Sequence, residues 1–330
     1  MRLELDISEE EGATDSQIFR RLLLEWFDRH KRDLPWRRDR DPYSVWLSEI
    51  MLQQTRVNAV TDHYQEFLRR FPTVEKLAAE RESAVLAAWS GLGYYRRARM
   101  LHAAAKKIVK EHAGTFPGSA EALRALPGIG RYTAAAVASI AFDQSVAVVD
   151  GNVERVLQRV QGKNLSGEAL WRAAEELLSR RRPGDFNQAM MELGATLCLP
   201  RQPQCLLCPV SHLCATRGAL RNPEKGIRQT KREIHYAFAR RGGSIFLVQR
   251  SKTATLMPGM WEFPEIALAS GTPVAWFTLR HSITVTDYVV RVVRNPAPKG
   301  LTGRWVRRSR IATLPLTGLA RKILRAADII

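Results

Sequence analysis

Leu126-Pro127-Gly128-Ile129-Gly130-Arg131-Tyr132-Thr133 decides the fold. It joins two stretches of helical periodicity, and its two glycines, one residue apart, allow a tight turn with unusual φ. Such a turn leaves backbone N–H groups pointing outward at the start of the helix that begins near Tyr132, which makes a sequence-blind phosphate site. The same pattern also suits a plain connection between two helices. Charge tips the balance. The chain has 51 Lys and Arg against 33 Asp and Glu in 330 residues, a net charge of +18. A surplus that large favours a polyanionic partner, with nucleic acid first and an anionic membrane surface second.

Outward from the turn the pattern is helical from about Asp15 to Ala215. Gln17–Arg29, Tyr43–Arg56, Glu82–Trp89, Arg97–Ala113, Tyr132–Ala141 and Gly167–Arg180 carry apolar residues at i, i+3 and i+4. Leu34-Pro35, Asp41-Pro42, Phe116-Pro117-Gly118 and Pro183-Gly184 punctuate them. Residues 1–16 read as a flexible acidic tail of the wrong sign for a targeting peptide. Residues 217–232 form a basic, apolar-poor linker. Beyond it come short β-rich runs at Ser244–Gln249, Ile283–Val293 and Gly303–Val306, then a closing helix over Leu316–Ala327. Residues 232–330 hold 16 Lys and Arg against 5 Asp and Glu, so this smaller part is the more basic per residue. No apolar run is long enough to span a bilayer.

The only four cysteines are Cys198, Cys205, Cys208 and Cys214, spaced C-x6-C-x2-C-x5-C. Four clustered thiolates hold either Zn²⁺ or a [4Fe-4S] cluster, and thiol chemistry alone leaves both open. Free thiols that ligate metal imply a reducing compartment. Two acids stand out. Glu49 has Val45 and Trp46 one turn before it and Leu52 and Gln53 one turn after, so it reads as a desolvated carboxyl with a raised pKa, fit to donate a proton. A solvated helix acid fits the same sequence. Asp150 ends the apolar run Val146–Val149 and suits the N-cap of a helix over Asn152–Val160, a role compatible with catalysis.

Taken together, Leu34-Pro35-Trp36-Arg37, Trp46 to Gln54, Gly91-Leu92-Gly93-Tyr94-Tyr95, the hairpin, Val149-Asp150-Gly151-Asn152-Val153, Phe186-Asn187-Gln188, the four cysteines and Trp261-Glu262-Phe263-Pro264 resemble the adenine DNA glycosylases of the helix-hairpin-helix superfamily. The resemblance covers most of 30–215 and, more thinly, 233–310. It implies a mainly α fold: a helix-hairpin-helix glycosylase domain over 17–216 with an iron–sulfur loop at 198–214, the linker, and a small α+β Nudix-like domain over 233–330 that recognises 8-oxoguanine. It implies removal of adenine mispaired with 8-oxoguanine or guanine in double-stranded DNA, by a monomer located in the cytoplasm and associated with a bacterial nucleoid. Cys198, Cys205, Cys208 and Cys214 would hold a [4Fe-4S] cluster. Glu49 would protonate the base and then manage the attacking water. Asp150 would face the sugar cation, with Asn152 and Tyr132 orienting the acids. Trp36, Arg37 and Gln188 would line the pocket for the extruded base. Gln53, Gln54 and Tyr94 would contact the stack around the opposite base, and Gly128 and Gly130 the phosphates.

Two departures sharpen the reading. A hairpin lysine is the Schiff-base nucleophile in the related endonuclease III family. The stretch here reads Arg131-Tyr132-Thr133, so a monofunctional glycosylase is expected. The family's Phe-Ser-His sensor loop aligns with His281-Ser282-Ile283-Thr284-Val285, where Ser282 and Thr284 offer hydroxyls and Val285 stands in place of His. No G-x5-E-x7-R-E box follows Pro264, so pyrophosphate hydrolysis is not expected. The competing readings are an endonuclease III-like glycosylase and lyase on oxidised pyrimidines, and a non-catalytic Fe–S or zinc DNA-binding protein.

Overall fold

A computed structural model describes residues 14–218, 230–267, 274–283, 286–294, 297–298 and 300–330. The helices of the first part are α1 (Asp15–His30), α2 (Pro42–Leu52), α3 (Val57–Arg70), α4 (Val74–Ala79), α5 (Glu82–Ala88), α6 (Arg96–His112), α7 (Ala120–Arg124), α8 (Arg131–Phe142), α9 (Gly151–Gln161), α10 (Gly167–Leu177) and α11 (Pro183–Thr196). The second part contains β1 (Thr230–Phe238), β2 (Arg240–Arg241), β3 (Ser244–Gln249), β4 (Trp261–Glu262), β5 (Phe277–Ile283), β6 (Thr286–Arg294), β7 (Gly303–Arg307), α12 (Arg308–Ile311) and α13 (Gly318–Ala326). None of the described helices is long and apolar enough to cross a membrane.

The chain packs as two compact units, residues 1–53 with 107–223 and residues 54–106 with 224–330. The segment that reads as a small C-terminal domain thus packs together with part of the helical region.

In the first unit, α1 starts at a reciprocal cap. Thr14 Oγ1 accepts from Gln17 N, and Gln17 Oε1 accepts from Thr14 N at 2.8 Å. Phe19, Leu23, Trp26 and Phe27 then form one buried stripe. That stripe joins Val153, Val156, Leu157, Phe186, Met190 and Leu193 in a core against which Cys198 and Cys208 pack. Helix α11 packs on α1, α8 and α9. Two of its glycines permit the approach. A Cβ on Gly184 would stand 2.5 Å from the Ser139 carbonyl oxygen, and one on Gly194 would stand 2.6 Å from Asn152 Cβ. Small residues at a crossing let the backbones approach, so both positions demand glycine for space, not for φ.

In the second unit, Phe67 packs edge-on against Phe71 and Trp89 at 4.8 and 5.9 Å between ring centroids. Strands β1, β6 and β5 form one sheet in that order, with β1 parallel and β5 antiparallel to β6. In the other sheet β3 is central, with β7 along one edge and β2 and β4 sharing the other, all antiparallel. Ile245, Leu247, Trp261, Val290 and Val292 meet Leu319, Ile323 and Leu324 of α13 in a shared core. Ser90 Oγ and Tyr95 OH both donate to the Leu316 carbonyl, at 3.1 and 2.7 Å.

Several elements depart from the sequence pattern. The periodicity over Tyr43–Arg56 breaks at Leu52, because Gln54 takes φ +55° and α3 starts afresh at Val57. The run Ile283–Val293 contains the end of β5 and most of β6. Strand β1 begins at Thr230, inside the stretch read as linker, while 219–229 and the first 13 residues lie outside the described residues. Of the two hairpin glycines only Gly128 needs its freedom, at φ +73°. Gly130 sits at φ −87° as the N-cap of α8.

Candidate active site

Helix α2 is secured at its start by Asp41, whose carboxylate accepts from Ser44 N at 2.8 Å. Every residue from Tyr43 to Met51 is buried. Glu49 lies within this run at 5 % exposure. Burial pushes its carboxyl up to about 7. A hydrogen bond from Tyr132 pulls the other way, the nearby Asp150 charge adds to the rise, and the Arg37 charge opposes it. Tyr132, in the first turn of α8, donates its hydroxyl to Glu49 Oε2 at 2.5 Å and touches Met191 Sδ at 3.5 Å. Burial raises the Tyr132 phenol, and the Glu49 and Asp150 charges raise it further, so this hydroxyl keeps its proton and acts as a donor. Gln188 lies one turn before Met191 on α11, half-buried on the same helix face.

Asp150 is the N-cap of α9. Its Oδ1 accepts from Asn152 N and Val153 N at 2.9 and 2.7 Å, and Asn152 Nδ2 donates to Oδ2 at 3.1 Å. The strand-like approach to this cap is held by Asn187. Its side chain accepts from Val148 N at 3.1 Å and donates to Val146 O and Ser139 Oγ, both at 2.9 Å. The hairpin's own helix end is open. No side chain caps α8, and a Cβ on Gly130 would meet nothing within 4 Å. The first amides of α8 are therefore presented outward, with room for a phosphate to approach. Gln53 Nε2 donates to Thr133 Oγ1 at 3.1 Å and ties the end of α2 to this same turn.

The other expected residues lie outside these helices. Trp36 is buried in the turn Pro35–Arg37. Arg37 donates to Glu192 Oε2 at 2.8 Å and to Arg32 O at 3.2 Å, and lies over the Phe27 ring, so its guanidinium is engaged in a buried ion-pair network. Burial opposes the charge on Glu192, but hydrogen bonds from Arg32 and Arg37 outweigh it and hold the carboxyl down at about 2. In the second unit, Gln54 and Tyr94 both adopt left-handed φ, +55° and +47°, and Tyr94 is 51 % exposed. Arg97 lies 5.4 Å from the Tyr94 ring centroid and donates to Thr55 Oγ1 at 3.1 Å and Leu92 O at 3.2 Å, which binds the two loops together. Ser282 donates its hydroxyl to Asp287 across β5 and β6. Thr284 lies outside the described residues.

The four cysteines follow α11 in a loop with two 3-10 turns, Cys205–Leu207 and Ser211–Leu213. All four thiols are free, and all four residues line one small cavity with Val156, Arg159, Leu193, Leu197 and Val210. Helix α9 reaches this loop from the Asp150 cap. Arg155 donates from Nη2 to Asn152 Oδ1 and Gly194 O, and from Nε to Cys198 O, each at 2.8 Å. Arg159, one turn on, donates to Cys198 Sγ at 3.3 Å and Leu199 O at 2.7 Å. Among the described residues, no three His, Cys, Asp or Glu are gathered closely enough to hold a single metal ion. A cleft of about 500 Å³ beside the hairpin, lined by Ala125, Arg131, Trp171 and Glu175 among others, includes neither acid.

Residues 47–180 match the HhH-GPD superfamily of base excision DNA repair proteins. The chain is 34 % identical over 318 residues to an adenine DNA glycosylase of Schizosaccharomyces pombe, covering 75 % of this chain and 69 % of that one. The chain belongs to the adenine DNA glycosylase family. A Rattus norvegicus adenine DNA glycosylase is 41 % identical over 317 residues, which cover 77 % of this chain. The chain spans 61 % of that relative's length. An adenine DNA glycosylase of Buchnera aphidicola is 38 % identical over 202 residues, 60 % of this chain, so this kinship does not decide the source. A solved thermostable thymine-DNA glycosylase superposes with a TM-score of 0.58 at 33 % identity, over 62 % of this chain and 96 % of that one.

Glu192, Arg155, Gly194 and Arg97 escaped the sequence reading. The first two are ordinary charged residues at helical spacing, and nothing local marks them as buried or bridging. Gly194 carried a signal, a glycine inside an apolar helix with no turn to explain it.

Proposed function

We propose that the chain excises adenine paired with 8-oxoguanine or guanine in duplex DNA, as a monomer and without cutting the strand. The observation that carries this reading is the bond from Tyr132 to a Glu49 poised near pH 7. A carboxyl at that value is protonated often enough to serve as an acid and ionised often enough to serve as a base.

Adenine inside a duplex is out of reach of a buried carboxyl and has to be extruded first. Neutral Glu49 then gives its proton to N7 of the base. The bond from N9 to C1′ breaks, and its electron pair leaves with adenine. The Asp150 carboxylate, fixed by three N–H donors, faces the cation left at C1′. Water adds to C1′ and its proton returns to Glu49, leaving free adenine and an abasic site. Trp36, Arg37 and Gln188 line the base pocket, with Arg37 braced by Glu192, and Gly128 and Gly130 seat a phosphate. Gln53, Gln54 and Tyr94 fill the stack beside the opposite base. Ser282 and Thr284 belong to the sensor of the damaged base within a Nudix-like part over 233–330.

Strand cleavage is not proposed, because the hairpin has no lysine and Tyr132 occupies the place beside Glu49. A purely structural role for Glu49 is disfavoured, since a binding protein gains nothing from a carboxyl whose charge burial destabilises.

Cys198, Cys205, Cys208 and Cys214 would hold a [4Fe-4S] cluster. Four free thiols around one cavity fit it. A cluster held there would fold and fix the loop that Arg155 and Arg159 grip.

The test is a single-turnover assay on duplexes with A opposite 8-oxoguanine, A opposite G, and thymine glycol opposite A. Alkali-dependent breaks on the first two are expected. Activity confined to thymine glycol, or breaks without alkali, would overturn the reading.

A further inference from the structure

The outward face of the β2–β3–β4–β7 sheet carries a basic and aromatic surface that the excision chemistry does not use. Ile245 and Leu247 of β3 enter the core, so Ser244, Phe246 and Val248 point the other way. Directly opposed residues share a face. Arg241 and Arg307 both oppose Ser244, one on each side, and Trp305 opposes Phe246. The Cα atoms of Arg241, Ser244 and Arg307 therefore stand in one row, with the two arginines roughly 10 Å apart across two strand spacings and Trp305 roughly 7 Å further along β7. Phe246 is buried beneath Trp305, with ring centroids 5.4 Å apart, while Trp305 is 40 % exposed. Neither Arg241 nor Arg307 meets an acid among the described residues. The acid on this face, Glu262, opposes Val248 and is already paired with Arg250 at 2.9 Å.

We infer that this sheet face binds single-stranded nucleic acid, with Trp305 as a stacking platform for one base and Arg241 and Arg307 as contacts to the flanking phosphates. Charge fixes the class of partner, because two unpaired guanidinium groups in a segment with 16 Lys and Arg against 5 Asp and Glu call for a polyanion. The tryptophan fixes the form. A base in a duplex has both faces covered by its neighbours, so an exposed indole held on a rigid sheet can stack only on an unpaired base. Phe246 supports the ring from below, so little side-chain freedom is lost on binding.

The surface is tested with the full-length protein by fluorescence anisotropy, using a labelled oligo(dT) and a labelled undamaged duplex across a range of salt. Trp305→Leu is expected to weaken oligo(dT) binding about tenfold, the order of one stacked base, and to leave duplex binding within about twofold. Arg241→Gln with Arg307→Gln, both exposed and so neutral to folding, is expected to lower the salt slope on oligo(dT) by about 1.4, at about 0.7 per phosphate. Base excision from a mispaired duplex stays unchanged in both variants. Unaltered oligo(dT) affinity and slope in the double arginine variant, or equal losses on duplex and single strand, would overturn the inference even if Trp305→Leu proved poorly folded. These readouts do not depend on excision, so their failure leaves the proposed reaction standing.

Discussion

Replacing Glu49 by Gln should make the protein more stable and less active, and the gain in stability should grow with pH. Glu49 ionises at about 7 in the fold against 4.5 for an ordinary glutamate. Between those values the native state holds a proton that the unfolded chain has released. The stability contributed by neutral Glu49 is therefore fully present below 4.5 and is lost as pH rises through 7. Each tenfold difference is about 1.4 kcal/mol, so well above pH 7 the fold bears about 3 kcal/mol of cost from carrying a charged Glu49. Between pH 5.5 and 8.5 the loss is about 2 kcal/mol, since part of it is already spent at the lower value. Gln does not titrate, and its amide oxygen can still accept from Tyr132. Urea unfolding of wild type and Glu49→Gln at the two pH values should show the variant's advantage widening by about 2 kcal/mol toward alkaline pH. Single-turnover excision should fall by about 10²–10⁴-fold in the same variant. A stability difference that stays flat or narrows between pH 5.5 and 8.5 would refute the claim that burial dominates at Glu49. It would also remove the physical basis for its use as the acid.

Tyr132→Phe removes a hydrogen bond that favours the charged carboxyl, a bond worth about 1.5–3 kcal/mol to a charged group; the alkaline limb of the excision rate should move upward by one to two pH values, as a pH profile would show, and a limb that moves down contradicts the assigned donor. Cys205→Ser should yield colourless protein with low iron content and poor solubility, because a lost ligand removes folding energy from a loop whose core is small; iron analysis finding zinc and no iron in freshly purified wild type would count against the cluster. Gly194→Ala places a methyl within 2.6 Å of Asn152 Cβ; excision should fall more than thermal stability, since the backbone carrying Asp150 and Asn152 has to shift, and full activity in steady-state assays would show that the α9–α11 contact does not set the acid's position.

What the sequence disclosed and what it hid have separate physical causes. The hairpin, the Asp150 cap and most helices were legible because they are written in short-range patterns: apolar periodicity, punctuation by Pro and Gly, and a cap residue at the right offset. The burial of Glu49 was readable from Val45, Trp46 and Leu52 around it, but its partner Tyr132 lies 83 positions away, and nothing local to either residue announces the bond. The same holds for Arg37. Its place in a family motif suggested a pocket wall, but its ion pair with Glu192, 155 positions on, is written in no local pattern. The break of α2 at Leu52 was hidden for a different reason. Gln53, Gln54 and Thr55 have no strong turn preference, and the contact beside the left-handed Gln54, from Arg97 to Thr55, comes from 42 positions away.

Arg155 makes the limit plainest. At helical spacing from Asp150 and Asn152 it reads as a solvated face of α9. In space its side chain touches Asn152, Gly194 O and Cys198 O at once. Asn152 in turn fixes the carboxylate of Asp150. The thiol loop and the Asp150 carboxylate are thereby joined by two side chains of a single rigid helix, and the distance between them cannot change without breaking a charge-assisted hydrogen bond. The position of the acid therefore depends on how well the cysteine loop is folded. A loop remote from the reacting sugar can matter to the reaction without supplying any atom to it.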